Sequence, residues 1–116
     1  MTPIYSQLMT IDTNEMLVIS TTDSMELARK IASALVAEHE AACVNIVPGV
    51  VSIYRWQGES CESGEWLLLI KSSAARFEAV RSRIRTMHSY QVPEVIAVPV
   101  TAGDADYLRW MAEQLA

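Results

Sequence analysis

Hydrophobic positions along this chain follow two rhythms, and the longest apolar run sets the architecture. Residues 41–58 are rich in β-branched and aromatic side chains, which favour strand. The run is longer than an ordinary strand of about 5–6 residues. Pro48-Gly49 falls in its middle. Proline cannot donate to a ladder and glycine accepts a bulge, so the strand bends there and continues. A second apolar run, Trp66-Leu67-Leu68-Leu69-Ile70, follows a stretch of turn-forming residues from Gly58 to Gly64. The two runs predict a long antiparallel hairpin, roughly residues 42–57 and 64–72, turning across 58–64. An arm of that length outruns a small domain, so another chain is expected to cover its far end.

The other elements are shorter. Met16-Leu17-Val18-Ile19-Ser20 predicts a buried strand. Asp23 and Glu26 have the spacing of a capping box. Ala28, Ile31, Ala32, Leu35 and Val36 recur at helical spacing, predicting a helix over 24–39. Ser72-Ser73 caps a second helix with Phe77, Val80, Ile84 and Met87 on one stripe. His88 to Pro93 is an irregular connection, Val95 to Val100 a strand ended near Pro99. Gly103-Asp104 opens a last helix with Leu108, Met111 and Leu115 on one side. Residues 1–14 read as a loose lead-in and 15–116 as a single domain. The order is that of an α+β fold, a ferredoxin-like β-α-β-β-α-β sandwich with an antiparallel sheet, a long β-hairpin and a C-terminal helix. Both helices on one face leave the other bare, to be covered by the tail helix and by further copies of the chain.

Composition narrows the function. Half of the 116 residues are hydrophobic (51%). That is rich for one small domain and leaves apolar surface for a partner subunit. A net charge of −5 argues against nucleic acid, which selects a basic face. Cys43 and Cys61 fall in different parts of the hairpin and form no disulfide framework. The first 15 residues lack a basic segment followed by an apolar one, so no signal peptide is read there. No apolar run reaches the ~20 residues of a membrane span. A reducing cytoplasm fits these features.

Several stretches together resemble one family. They are Ala41-Ala42-Cys43-Val44-Asn45-Ile46 with Pro48-Gly49, Ser52-Ile53-Tyr54-Arg55-Trp56-Gln57-Gly58, Glu65 with Leu69-Ile70-Lys71, His88-Ser89-Tyr90 with Pro93-Glu94, and Tyr107-Leu108 with Trp110. Their order and spacing resemble the CutA divalent-cation-tolerance proteins over residues 16 to about 112. The resemblance implies a ferredoxin-like subunit, a homotrimer similar in architecture to PII signalling proteins, and association with copper and other divalent metals. It implies no defined reaction. The chain departs from the family's pattern at Ser20, where a cysteine is common. It departs again at Met87 and Ser89, where the family carries a further histidine in some members and a proline in most.

The metal candidates are His88, Cys43 and Met87. An imidazole beside a thioether suits Cu(I), and a thiol suits Cu(I) or Zn(II). The structural alternatives are a helix-capping histidine packed under Tyr90, and a small buried strand cysteine. A second constellation is Tyr54, Trp56, Glu65, Lys71, His88, Tyr90, Glu94 and Trp110. Similar residues surround inter-subunit clefts in the family, where they would hold a small anionic or metal-bound ligand; the alternative is interface packing. Arg76, Arg81, Arg83 and Arg85 read as a solvated helix face. No nucleophile elbow or histidine cluster marks an enzyme. The sequence therefore predicts a homotrimeric divalent-cation tolerance protein. The alternatives are a PII-like small-molecule sensor and a trimeric scaffold anchoring a partner protein.

Overall fold

The computed structural model describes residues 14–116, so the expected lead-in lies outside the described residues apart from Asn14. Four strands and three helices follow in the order β1 (Glu15–Thr22), α1 (Met25–Ala37), β2 (Cys43–Trp56), β3 (Glu59–Ser73), α2 (Ala74–Met87), β4 (Ile96–Pro99) and α3 (Ala105–Leu115). The sheet order is β2-β3-β1-β4, antiparallel throughout, which is the ferredoxin-like arrangement. Period-two alternation sends Val18, Leu68 and Ile70 to one face, where they meet Ile31, Leu35, Val80 and Ile84 of α1 and α2. Helix α3 closes a second, smaller cluster through Leu108, Met111 and Leu115 against Ala42.

Two basic side chains hold the end of α3. The Arg76 guanidinium donates to the Leu115 carbonyl from Nε (2.9 Å) and from Nη2 (2.7 Å). A ring nitrogen of His39 lies 2.8 Å from the Gln114 carbonyl. Donors at a helix C-terminus satisfy carbonyls that have no partner within the helix. Arg83 pairs with Glu40 and Arg81 with Glu78, so three of the four arginines that a patch would need already bind protein groups.

The hairpin shows where sequence chemistry decides and where register overrides it. The bulge falls at Pro48-Gly49: pairing shifts between Val47 and Val50, and Gly49 takes φ +79°. A glycine in the left-handed region is what this kind of bulge requires. The turn, however, is not 58–64. It is Gln57-Gly58, both at positive φ, as a tight two-residue hairpin loop demands. Residues 59–64 continue β3, paired with 51–56. Strand β1 pairs only from Trp66 to Ser73, so residues 59–65 run on as a two-stranded ribbon, ~23 Å of it. The chain is accordingly drawn out to 52 Å, with a radius of gyration of 15.7 Å against about 13 Å for a compact domain of this size.

The caps also differ from expectation. Ser24, not Asp23, caps α1, its hydroxyl accepting from the Leu27 amide (3.1 Å). Ser73 occupies the N-cap of α2 without a side-chain bond, while the Ser72 hydroxyl donates to the Glu40 carbonyl (2.6 Å). Asp104 caps α3 as its position suggested. Ser20 is fully buried beside the core, and its Oγ has no hydrogen-bond partner among the described residues. An unsatisfied buried hydroxyl costs folding free energy. Ser20→Ala is therefore expected to stabilise the protein by about 1 kcal/mol, read as a higher midpoint in denaturant unfolding.

Candidate functional site

A cavity of about 640 Å³ opens where the ribbon leaves the body of the sheet. Its walls are Tyr54 and Trp56 of β2, Glu65 of β3, and Tyr90, Val92 and Glu94 of the segment after α2. Tyr54 and Trp56 point the same way because they are two residues apart on one strand. Glu65 joins them by cross-strand register: it stands opposite Val50, an even number of residues from Tyr54. The Tyr54 hydroxyl lies 2.8 Å from the Ser63 hydroxyl, which fixes the ring along the ribbon.

The segment 88–94 is positioned by His88. Its backbone N–H donates to the Ile84 carbonyl and ends α2. Its imidazole then makes two bonds. The Tyr90 amide donates to Nδ1 (3.0 Å), so the proton sits on Nε2, which donates to the Thr21 carbonyl (2.6 Å). The Tyr90 ring lies 4.6 Å from the imidazole, centroid to centroid. These bonds aim the Tyr90 hydroxyl at Glu65, to which it donates at 2.7 Å. Burial, the Glu65 bond and nearby negative charge push the Tyr90 phenol well above its usual range, so it remains a donor at any physiological pH.

Glu94 faces the same space. Partial burial and the negative charge of Glu65 push its carboxyl above the usual carboxylate range. A raised value means the folded state holds this proton more tightly than the unfolded chain does. Stability is thus greater at low pH and is lost as pH rises from the usual carboxylate value through the raised one. Glu94→Gln is expected to stabilise the protein at neutral pH, by less than about 1 kcal/mol because solvent screens the pair. The gain should shrink to nothing as pH falls below the usual carboxylate value, a trend that unfolding curves at stepped pH would show.

Of the eight residues expected to surround a cleft, Tyr54, Trp56, Glu65, Tyr90 and Glu94 share this cavity, and His88 stands behind it. Lys71 and Trp110 do not share it. Lys71 lies six positions along β3 from Glu65, about 20 Å away. Its Nζ donates to the Tyr107 hydroxyl (3.2 Å), and the Tyr107 ring packs against Trp110 at 5.5 Å. The three expected metal donors, Cys43 and the consecutive Met87 and His88, have other engagements within the chain. Cys43 is paired across from Lys71, and Met87 packs against the main core. His88 has both ring nitrogens engaged, so within one chain it offers no lone pair to a metal. Among the described residues no three His, Cys, Asp or Glu side chains form a metal-binding group. Thr21 and Val92, which also line the cavity, were not singled out from the sequence. Val92 stands between Gln91 and Pro93 in an irregular segment, where neither strand nor helix spacing signals a role.

The model of the CutA1 divalent ion tolerance protein family matches residues 16–114. The chain belongs to that family. The divalent-cation tolerance protein CutA of Thermus thermophilus is 50% identical over 99 residues, 85% of this chain and 96% of that protein. The chloroplastic protein CutA of Arabidopsis thaliana is 43% identical over 91 residues, 78% of this chain and half the length of that relative. The solved divalent cation tolerance protein of Thermus thermophilus superposes with a TM-score of 0.86 at 49% identity, covering 88% of this chain and 99% of that one. No helix among the described residues is long and apolar enough to cross a membrane.

Proposed function

We propose that the protein is a cytoplasmic homotrimer that binds divalent metal ions, copper among them, and contributes by binding rather than catalysis to the response to those ions. The family match over residues 16–114 carries this reading, since the family is described by divalent ion tolerance. The assembly draws support from the sheet's two edges. On the ribbon, Ile53 is 72% exposed and Val51 64%; on the opposite edge strand β4, Ile96 is 53% exposed. Apolar patches on opposite edges do not match themselves. They suit head-to-tail contacts that close into a ring. In such a ring a metal site draws donors from more than one copy, with Cys43 as its thiol and His88 joining only by giving up the Tyr90 amide at Nδ1.

Light scattering at micromolar concentration should give three chains per particle. Copper titration followed by calorimetry should show saturable uptake that Cys43→Ser or His88→Ala reduces. A stable monomer, or uptake that never saturates, would overturn the reading. The cavity favours a second reading, a PII-like sensor of a small molecule. Its volume lies within the range of small-ligand sites, and aromatic rings with a few convergent polar groups line it.

A further inference from the structure

Helix α3 is attached to the domain differently from the other two helices. Leu108, Met111 and Leu115 pack on Ala42 and Val100, a cluster apart from the main core. Among the described residues α3 makes no backbone hydrogen bond to a strand. Residues 101–104, which lead into it, are exposed and form neither helix nor strand. Its polar attachments are side chains at its two ends. At the C-terminal end Arg76 donates twice to the Leu115 carbonyl, and the His39 ring donates to that of Gln114. At the N-terminal end the Tyr107 hydroxyl accepts from Lys71.

His39 also sits in a strained turn. It follows α1 with φ +58°, in the left-handed region that favours glycine. The Glu40 amide donates to the Leu35 carbonyl (2.9 Å) and the His39 amide to that of Val36 (3.2 Å). That is the bonding of a Schellman turn, which glycine would close with less strain. Glycine, however, would have no ring to send to α3. Strain kept at a residue whose side chain joins two elements points to that junction.

We propose that His39 and Arg76 form a clasp, and that α3 opens from the domain as one unit when the clasp lets go. Both residues belong to the helix layer, His39 just past α1 and Arg76 in the first turn of α2. Roughly two helical turns, about 12 Å, separate Leu115 from Tyr107. An isolated helix of 11 residues is marginal in water. Helix α3 is therefore docked and helical, or undocked and unravelled. Its two ends share that equilibrium, so the clasp at one end determines whether Tyr107 occupies the Lys71 ammonium at the other. Opening frees that ammonium and uncovers Ala42. His39 and Arg76 are thus positioning residues for Lys71, whichever ligand the protein takes.

Residue-resolved hydrogen exchange on the intact assembly tests this. In the unmodified protein the α3 amides from Leu108 to Leu115 are expected to be at least about tenfold less protected than those of Val18 and Ile70 in the sheet. Arg76→Gln should lower the protection of these α3 amides together, first turn as much as last, by about tenfold or more, because hydrogen bonds to a charged group are lost. His39→Gly, which relieves the left-handed turn, should still lower it several-fold. Arg81→Gln removes an ion pair on the same helix as Arg76 and should leave α3 unchanged. Ile84→Val, a change in the main core, should lower the protection of Val18 and Ile70 but not of α3. Sheet and α3 amides equally protected in the unmodified protein, or falling together in Ile84→Val, would show that α3 leaves only with the whole fold and overturn the proposal. Loss confined to the last turn in Arg76→Gln would mean fraying, and would overturn it too. So would His39→Gly with α3 protection unchanged or raised.

Discussion

Replacing Val51 and Ile53 together by aspartate is expected to reduce the proposed trimer to single chains. Both side chains stand on the ribbon, beyond the span that β1 pairs, and more than half of each is exposed in one chain. Burying two such residues against a neighbour contributes roughly 1.5–3 kcal/mol apiece. Aspartate forfeits that gain and places an unpaired charge in the contact, which costs several kcal/mol more. Every contact in a ring is the same contact, so the loss repeats at each junction. Particle mass by light scattering should fall threefold at micromolar concentration. Neither residue belongs to the core clusters, so far-ultraviolet circular dichroism should keep its folded shape. A mass that does not change would place the contact elsewhere on the surface.

The same ribbon marks the boundary of what the sequence discloses. Its bulge was legible because Pro48 and Gly49 can do little else within a strand. Its turn was not. Residues 59–64 have the composition of a loop, yet pairing with 51–56 makes them strand, since a neighbouring strand satisfies the backbone whatever the side chains are. The caps show a milder form of this. Asp23 and Ser24 are both good N-cap residues, and only the path of the chain decides that Ser24 faces the Leu27 amide.

At the candidate site, alternation alone placed Tyr54 and Trp56 on one face. Which carboxylate meets them depends on register, and register depends on the bulge. Resemblance grouped Lys71 and Trp110 with these residues, but a single chain holds them about 20 Å away, around Tyr107. The capping position of His88 was legible from its place after a helical stripe. The partner of its ring Nε2 was not, since that is a carbonyl 67 positions earlier in the chain. The cleft expected from the resemblance lies between subunits, so Lys71 and Trp110 of one copy can meet the aromatics only of another.

Ile70→Ala is expected to cost 2–5 kcal/mol, the usual range for truncating a fully buried isoleucine. Ile70 has no exposed surface and sits in the third strand, with Val18 opposite on one side and Val44 on the other. Helices α1 and α2 close over it through Ile31, Leu35 and Val80. These neighbours belong to different elements held by their own hydrogen bonds, so they collapse little into the space left behind. Domains are stable by about 5–15 kcal/mol, so the loss is a large fraction of the whole. Ile53→Ala, the same change on the ribbon, provides the control. In an isolated chain it should be nearly neutral, because the side chain is mostly in water already. In the proposed trimer it should cost energy that disappears on dilution to the monomer. Denaturant unfolding of both variants at two protein concentrations separates these cases. A loss for Ile70→Ala that is independent of concentration, beside a loss for Ile53→Ala that is not, is the result the fold and the assembly together require.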